Sequence, residues 1–288
     1  MSADVLTPIV DDAPPQPAGR SVGSRLWRWG WPKLIAIALA LLVWQFAYWY
    51  LVEWTGNKPV FLFPPPSKAL STFFTMVGTE QFWSAVGVTM KRAVIGYVLA
   101  LVIGTLVGLA VARVRPLRAG VGSLITGLQT MPSIAWFPFA IVLIGFDERA
   151  ILFVVVLGAG PSIANGVISG VDHIPPQFLR LGQVLGARGP SLYRHIVVPA
   201  MLPNYVSGLN QGWAFAWRSL MAGELLVMGV AGQLGLGNLL NAARSSPTQG
   251  MAKIEAVMLA ILIIGMLVDG IFTSLSSRMR RRRGLVLD

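Results

Sequence analysis

The sequence predicts an all-α integral membrane protein that crosses the bilayer six times. Three observations predict this. Of the residues, 55% are hydrophobic and only 12% are charged, whereas soluble domains carry roughly one quarter charged residues. The apolar residues gather into six runs long enough to span. The basic residues collect at alternate ends of those runs, the asymmetry that orients a membrane protein. A net charge of +11 could signal nucleic acid. Its carriers instead form short clusters beside apolar runs, so no nucleic-acid partner is expected and the lipid bilayer is the main one. The absence of cysteine excludes disulfides, thiolate metal sites and thiol catalysis.

The elements follow in order. Residues 1–20 hold Pro14, Pro15, Pro17 and three aspartates, with little that could pack, and read as a disordered tail. Residues 21–33 interleave Arg25, Arg28 and Lys33 with Trp27, Trp29 and Trp31, an interfacial anchor ahead of an apolar run. Residues 34–275 form the six-span domain and 276–288 a basic tail. The first span, residues 34–52, is uncharged and long enough to cross about 30 Å of hydrocarbon. It is too long, and its leader too extended, for a cleaved signal peptide. Residues 53–66 are a polar, proline-rich connection, followed by a short helix over about 67–77.

Lys91 and Arg92 open the second span, which runs to Ala112. Within it Gly96, Ala100, Gly104, Gly108 and Ala112 recur every four residues. That spacing places small residues on one face, where a second helix can approach closely. The third span, about 121–145, contains Pro132 and Pro138, which remove backbone donors and force a bend. Residues 146–149 read as a polar turn. The fourth span covers 151–171 with Pro161 and Asn165 inside, the fifth about 204–227, and the sixth 254–273. Residues 230–250 read as a glycine-rich loop.

Between the fourth and fifth spans lies the segment around which the chain is organised, about 175–200. Pro175 and Pro176 stop the preceding helix; Gly186, Gly189 and Pro190 break the middle; Pro199 and Pro203 mark the exit. Two short amphipathic helices result. One covers about 177–185, with Phe178, Leu181 and Leu185 on a face. The other runs from about Pro190 to Val198, with Leu192 and Ile196 on a face. Such a pair can lie on lipid headgroups or dock a soluble partner.

The residues here carry a resemblance. Gly186-Ala187, then Ile196 and Pro199, resemble the second half of the EAA loop of the membrane subunits of binding-protein-dependent ABC importers. At the front of the motif Arg180-Leu181-Gly182 stands where the family has Glu-Ala-Ala, so no carboxylate role carries over. Phe63-Pro64-Pro65-Pro66-Ser67, the run around Pro132-Ser133-Ile134-Ala135-Trp136, and Trp217 to Leu225 are similar to signatures of the nitrate/sulfonate/taurine subgroup. The resemblance implies a type I ABC importer permease fold with a cytoplasmic coupling-helix loop. It implies a homodimer of permeases, two ATPase subunits that dock on that loop, and an external substrate-binding protein. The expected coupling residues are Arg180, Gly182, Gly186, Ala187, Tyr193, Ile196 and Pro199. The implied cargo is a small anion such as an aliphatic sulfonate or taurine, with nitrate, bicarbonate or a thiamine-type precursor as alternatives.

Orientation follows from counting. Six spans put both termini on one side, and fifteen Lys and Arg residues fall on that side against five on the other. The positive-inside rule places the termini and the 175–200 loop in the cytoplasm, and the resemblance implies a bacterial inner or plasma membrane. Enzymatic activity is not expected. A phosphate loop needs Gly-Lys before Ser or Thr, and no lysine here follows a glycine. ATP and magnesium are implied by the resemblance to belong to a partner ATPase, and no cofactor is expected in this chain. His173 and His195 have no accompanying carboxylate pair or metal spacing. A secondary transporter or channel is the competing class, but coupling acids and an internal repeat are wanting. Candidates for the translocation pathway are Gln129, Ser133, Trp136, Asn165, Trp217, Arg218 and Glu224. Arg218 lies deep in a span, so it either pairs structurally or lines a pathway that attracts anions. Glu224 is expected near the external interface, within reach of water.

Overall fold

The computed structural model describes residues 22–56, 59, 62–227, 234–246 and 250–282, and among these there is no strand. The expected tail at 1–20 and the end of the basic tail from Arg283 lie outside the described residues. The chain divides into two units, residues 1–59 and 60–288. In the first, α1 (Val22–Tyr48) continues as a π turn, Trp49–Trp54. Its apolar part, Trp31–Trp54, is 24 residues long and accounts for the first expected span.

The second unit opens with α2 (Pro66–Val77), whose Pro66 sits in the first turn, where its missing N–H costs nothing. Next comes α3 (Glu80–Arg113), 34 residues or about 51 Å. It starts eleven residues before the expected Lys91. Thr79 caps it by accepting from the Phe82 amide at 3.4 Å, and Glu80 meets the positive end of the helix dipole. A helix of α4 (Arg115–Thr130) follows, then a 3₁₀ turn at Ser133–Trp136 and α5 (Phe137–Ile144). The expected bend is real and falls at Pro132: the two halves turn through 104°. Pro138 does not break anything, because it lies in the first turn of α5.

The expected polar turn at 146–149 is instead the start of α6 (Glu148–Asp172). Asp147 caps it by accepting from the Arg149 amide at 2.8 Å. Then come α7 (Pro176–Val184), the single turn α8 (Pro190–Leu192), a π segment Tyr193–Val197, and α9 (Val198–Leu226). The chain does not exit at Pro199 as expected. The π segment shifts the hydrogen-bond register, so the Val198 amide bonds to Tyr193 O, and Pro199 falls in the first turn of α9. Inside the expected glycine-rich loop lies α10 (Leu236–Arg244), before α11 (Gly250–Arg282).

The core is built from α3, α6 and α9. The small-residue stripe of α3 faces α6 in parallel. A Cβ at Gly104 would stand 2.6 Å from the Gly160 carbonyl oxygen, and one at Gly108 would stand 2.8 Å from that of Ala164. Antiparallel to α6 runs α9, and they meet where Gly166 and Gly208 leave each only 2.7 Å from the other's Cα to an added Cβ. Between these helices Tyr97, Phe137, Ile151, Ile163, Trp213 and Leu220 are buried. Four described helices are long and apolar enough to span, and the bent α4–α5 pair makes a fifth. With 29 residues, α9 is also long enough, but it is too polar to join that set. Its polar residues include Asn204 and Asn210, half-buried, and Gln211 and Arg218, exposed.

Candidate functional site

The two ends of the second unit differ chemically, and α3 measures the distance between them. The Arg113 guanidinium lies 5.2 Å from the centre of the Tyr193 ring, so this end of α3 belongs with the 175–200 segment. Arg118 pairs with Asp172 at the same end. At the other end Arg92 and Thr89 meet α6, α9 and α10. Arg92 and Arg113 are about 31 Å apart along the helix, the thickness of a hydrocarbon layer.

At the first end, α7 packs on the π segment through Gly182. A Cβ there would collide with the Ile196 Cδ1 and lie 3.0 Å from Leu192. Gly186 terminates the helix with φ +83° and has open space around it, so it is required for its backbone and not for its size. The Ala187 amide closes the turn onto Gly182 O at 2.9 Å. Val197 and Met201, with Val167 and Ile174, root the segment in the core. The outer surface is apolar and uncovered: Val184 is 83% exposed and Leu185 77%. Phe178, Leu181, Leu185, Ile196 and Pro199 line one shallow cavity of about 390 Å³. The two faces expected from helical spacing therefore converge. Arg180 is exposed at the edge, and Tyr193 is half covered. Both histidines are exposed, His195 on the rim of that cavity, and each bonds to a backbone carbonyl four residues earlier. His173 Nδ1 donates to Ser169 O at 2.7 Å and His195 Nδ1 to Ser191 O at 3.0 Å.

At the opposite end Glu224 is fully buried, not within reach of water. Its carboxylate receives Arg92 Nη1 at 3.1 Å, the Thr89 hydroxyl at 2.9 Å and the Gly237 amide at 2.9 Å. Arg92, 2% exposed, also donates through Nε to Glu148 at 3.1 Å. Thr89 in turn accepts from the Leu236 amide at 2.8 Å. Asn238 donates to the carbonyls of Glu224 at 2.7 Å and Val227 at 3.2 Å. One carboxylate thus ties α3, α9 and the start of α10 together, and Arg92 extends the tie to α6. The sequence reading placed Arg92 near the end of a span but missed this network. The available signal was two opposite charges in apolar runs, each needing a buried partner.

Between these ends lie the remaining candidates. Gln129 donates to the buried Ser162 hydroxyl at 3.1 Å. Ser133 approaches the α6–α9 crossing, where an added Cβ at Gly158 would come within 3.5 Å of its Cβ. Trp136 is half-buried against the core and Asn165 half-buried on α6. Trp217 is buried, stacked on Trp213 and set against Gly265 of α11. Arg218 is different: it is exposed. Its Nε donates to Ala214 O at 2.9 Å on its own helix, and its guanidinium lies 4.8 Å from the Phe215 ring centre. Among the described residues no acid pairs with it. It shares a stripe of α9 with Asn204, Ser207 and Gln211, spaced by three, four and seven residues, while the helix's other faces are core.

Three comparisons bear on this arrangement. Residues 96–281 match the family described as the binding-protein-dependent transport system inner membrane component. The taurine transport system permease protein of Escherichia coli is 25% identical over 223 residues, covering 75% of this chain and 79% of that one. A nitrate import permease protein of Synechocystis is 25% identical over 259 residues, covering 85% and 89%. In fold, the chain resembles the inward-facing methionine ABC transporter MetNI, with a TM-score of 0.57 and 19% identity over 69% of this chain and 95% of that one. The matched span takes in the core helices, the bent pair, the 175–200 segment and α11, and the chain belongs to the family of binding-protein-dependent transport system inner membrane components, an ABC importer permease with the type I fold.

Proposed function

We propose that two copies of this chain form a permease that moves a small oxyanion, of the sulfonate or nitrate kind, inward along the interface between them. Two ATPase subunits holding ATP and magnesium dock on the α7–α8 segment, which faces the cytoplasm with both termini. An external binding protein delivers the cargo. The uncovered apolar cavity around Leu181, Leu185 and Ile196 supports docking at that end, and Arg180, Gly182, Gly186, Ala187, Tyr193 and Pro199 shape or flank it. Arg218 carries the cargo class. An arginine facing lipid at such depth costs about 2.5–3.5 kcal/mol even on the insertion scale. Among the described residues it has no acid partner, and in this reading it faces water or a second copy, where a guanidinium attracts anions. Relatives that carry taurine and nitrate agree with that chemistry.

The test is uptake of taurine and of nitrate by the complete importer in proteoliposomes, with Arg218→Gln beside the unaltered protein. The expected result is an assembled complex whose anion uptake falls by about tenfold or more, the loss of a charge-assisted contact in a site of low dielectric. Loss of the complex from the membrane would instead assign Arg218 to assembly. Undiminished uptake of both anions by an assembled variant would remove the anion reading.

A further inference from the structure

The cleft enclosed by α2, α10 and α11 is at the Arg92 end of the unit, opposite the α7–α8 segment. Its volume is about 570 Å³. Lys68 and Lys253 stand on its walls, both exposed, and among the described residues no carboxylate lines it. Among the described residues neither lysine has an ion-pair partner. The floor is apolar, formed by Met76, Phe82, Leu239 and Val257. From these features, and resting on the reading that an external protein delivers the cargo, we infer that this cleft is where that protein docks. It takes an apolar side chain of the partner flanked by two carboxylates.

The hydroxyls of the cleft decide between a protein and a free anion. The Ser71 and Thr72 hydroxyls donate to Lys68 O at 2.9 and 2.8 Å, Thr75 donates to Ser71 O at 2.9 Å, and Thr79 to Met76 O. Each commits its proton to a backbone carbonyl three or four residues earlier, and Thr79 also accepts from the Phe82 amide. An oxyanion stripped of water needs converging donors, and the protons of these four hydroxyls are already committed to carbonyls. Two solvated ammonium groups over an apolar floor suit a protein surface. There the charges steer encounter and fix register while the apolar side chain is buried. A cleft of this size accepts one large side chain and its neighbours, not a whole helix.

The experiment uses the assembled importer in proteoliposomes with its own purified binding protein, loaded with taurine or nitrate. ATP hydrolysis is titrated against binding-protein concentration for the unaltered chain and for Lys68→Glu with Lys253→Glu. The proposal expects the half-saturating concentration to rise by about tenfold at low salt, and the difference to shrink as salt screens the charges. Lys68→Gln with Lys253→Gln should shift it less, in the same direction. Replacing an acidic residue of the binding protein with lysine should recover part of the loss in the reversed chain. An unaltered half-saturation in the reversed chain overturns the proposal. So does a reversed chain that loses its response to free taurine or nitrate but not to the binding protein, which would make the cleft an anion site. If no binding protein stimulates the unaltered importer, the reading beneath the proposal fails, not the cleft.

Discussion

The two ends of the core unit are finished in opposite ways. At the Arg92 end, polar groups are buried and matched inside the chain. Two carboxylates, a guanidinium, a hydroxyl, an amide side chain and two backbone amides satisfy one another. At the Tyr193 end the reverse holds. The polar groups are exposed, and the uncovered surface is apolar, with Leu185 at 77% exposure. A buried charge left unpaired destabilises its own protein, so a chain must complete such a network itself. An uncovered apolar face costs little while it stays small, and it gains when another molecule covers it. The first end is therefore a clamp holding the bundle, and the second fits the docking surface proposed above. Substitutions at the clamp should change stability, and those at the surface should change coupling.

The sharpest way to break that contrast is Glu224→Ala. It removes the buried carboxylate from Arg92, whose ion pair with Glu148 is one-third exposed on the acid's side, and strips the acceptor from Thr89 and from the Gly237 amide. The expected cost is about 3 kcal/mol, the lower end for breaking a buried pair, because one partner remains. Thermal unfolding of the purified protein in detergent should show the loss as a lower midpoint, and less protein should accumulate in the membrane. Glu224→Gln keeps an acceptor and should fall between. A midpoint unchanged in Glu224→Ala would mean the network is not a clamp.

At the other end, Gly182→Val sharpens the comparison. Its side chain must occupy space held by Ile196 and Leu192, and overpacking of this kind costs about 1–3 kcal/mol. The cost falls on the α7–α8 pair, not on the core beneath it. The expected outcome is a permease still present in the membrane that no longer co-purifies with its ATPase. Gly186→Ala at the neighbouring turn should do less. It meets no atom and bears only the strain of φ +83°, about 1 kcal/mol. Co-purification lost equally in both variants would mean that size at Gly182 is not what matters.

How legible these regions were in the sequence follows from the range of the forces involved. The small-residue stripe of α3 was readable because it repeats every four residues, and it does face a helix at close approach. The two short helices and their turn were readable from Gly186 and Pro190, which act locally. The start of α3 was misplaced because a threonine cap twelve residues before Lys91 decides it, and apolarity does not report caps. Helix α10 was hidden because four glycines between residues 229 and 237 read as a loop, and it is held by Asn238 and by the network. That network could not be seen in any window: Arg92 and Glu224 are 132 residues apart in the chain. The break at Pro132 and the continuity through Pro199 show the same limit. Proline removes one donor in either place, but only neighbouring structure determines whether that donor was needed.

The smallest effect is expected at Arg180, which sharpens the assembly end. It stands in α7 where the family motif has a glutamate, and it is exposed, beside Leu181 and not beneath it. Among the described residues no ion pair involves it, so Arg180→Glu should leave the unfolding midpoint where it is. What changes is the charge offered to a partner surface. If the ATPase groove presents carboxylates at that point, reversal turns attraction into repulsion. Association should then weaken by severalfold at low salt and recover as salt is added, because an exposed pair is worth about 0.2–1 kcal/mol and is screened over about 10 Å. Binding of the ATPase subunit to the purified permease, measured at two ionic strengths, checks this. A salt-independent loss would point to packing, not charge. An unaltered affinity would show that the arginine is solvated in the complex and that apolar contacts at Leu181, Leu185 and Ile196 carry the docking alone.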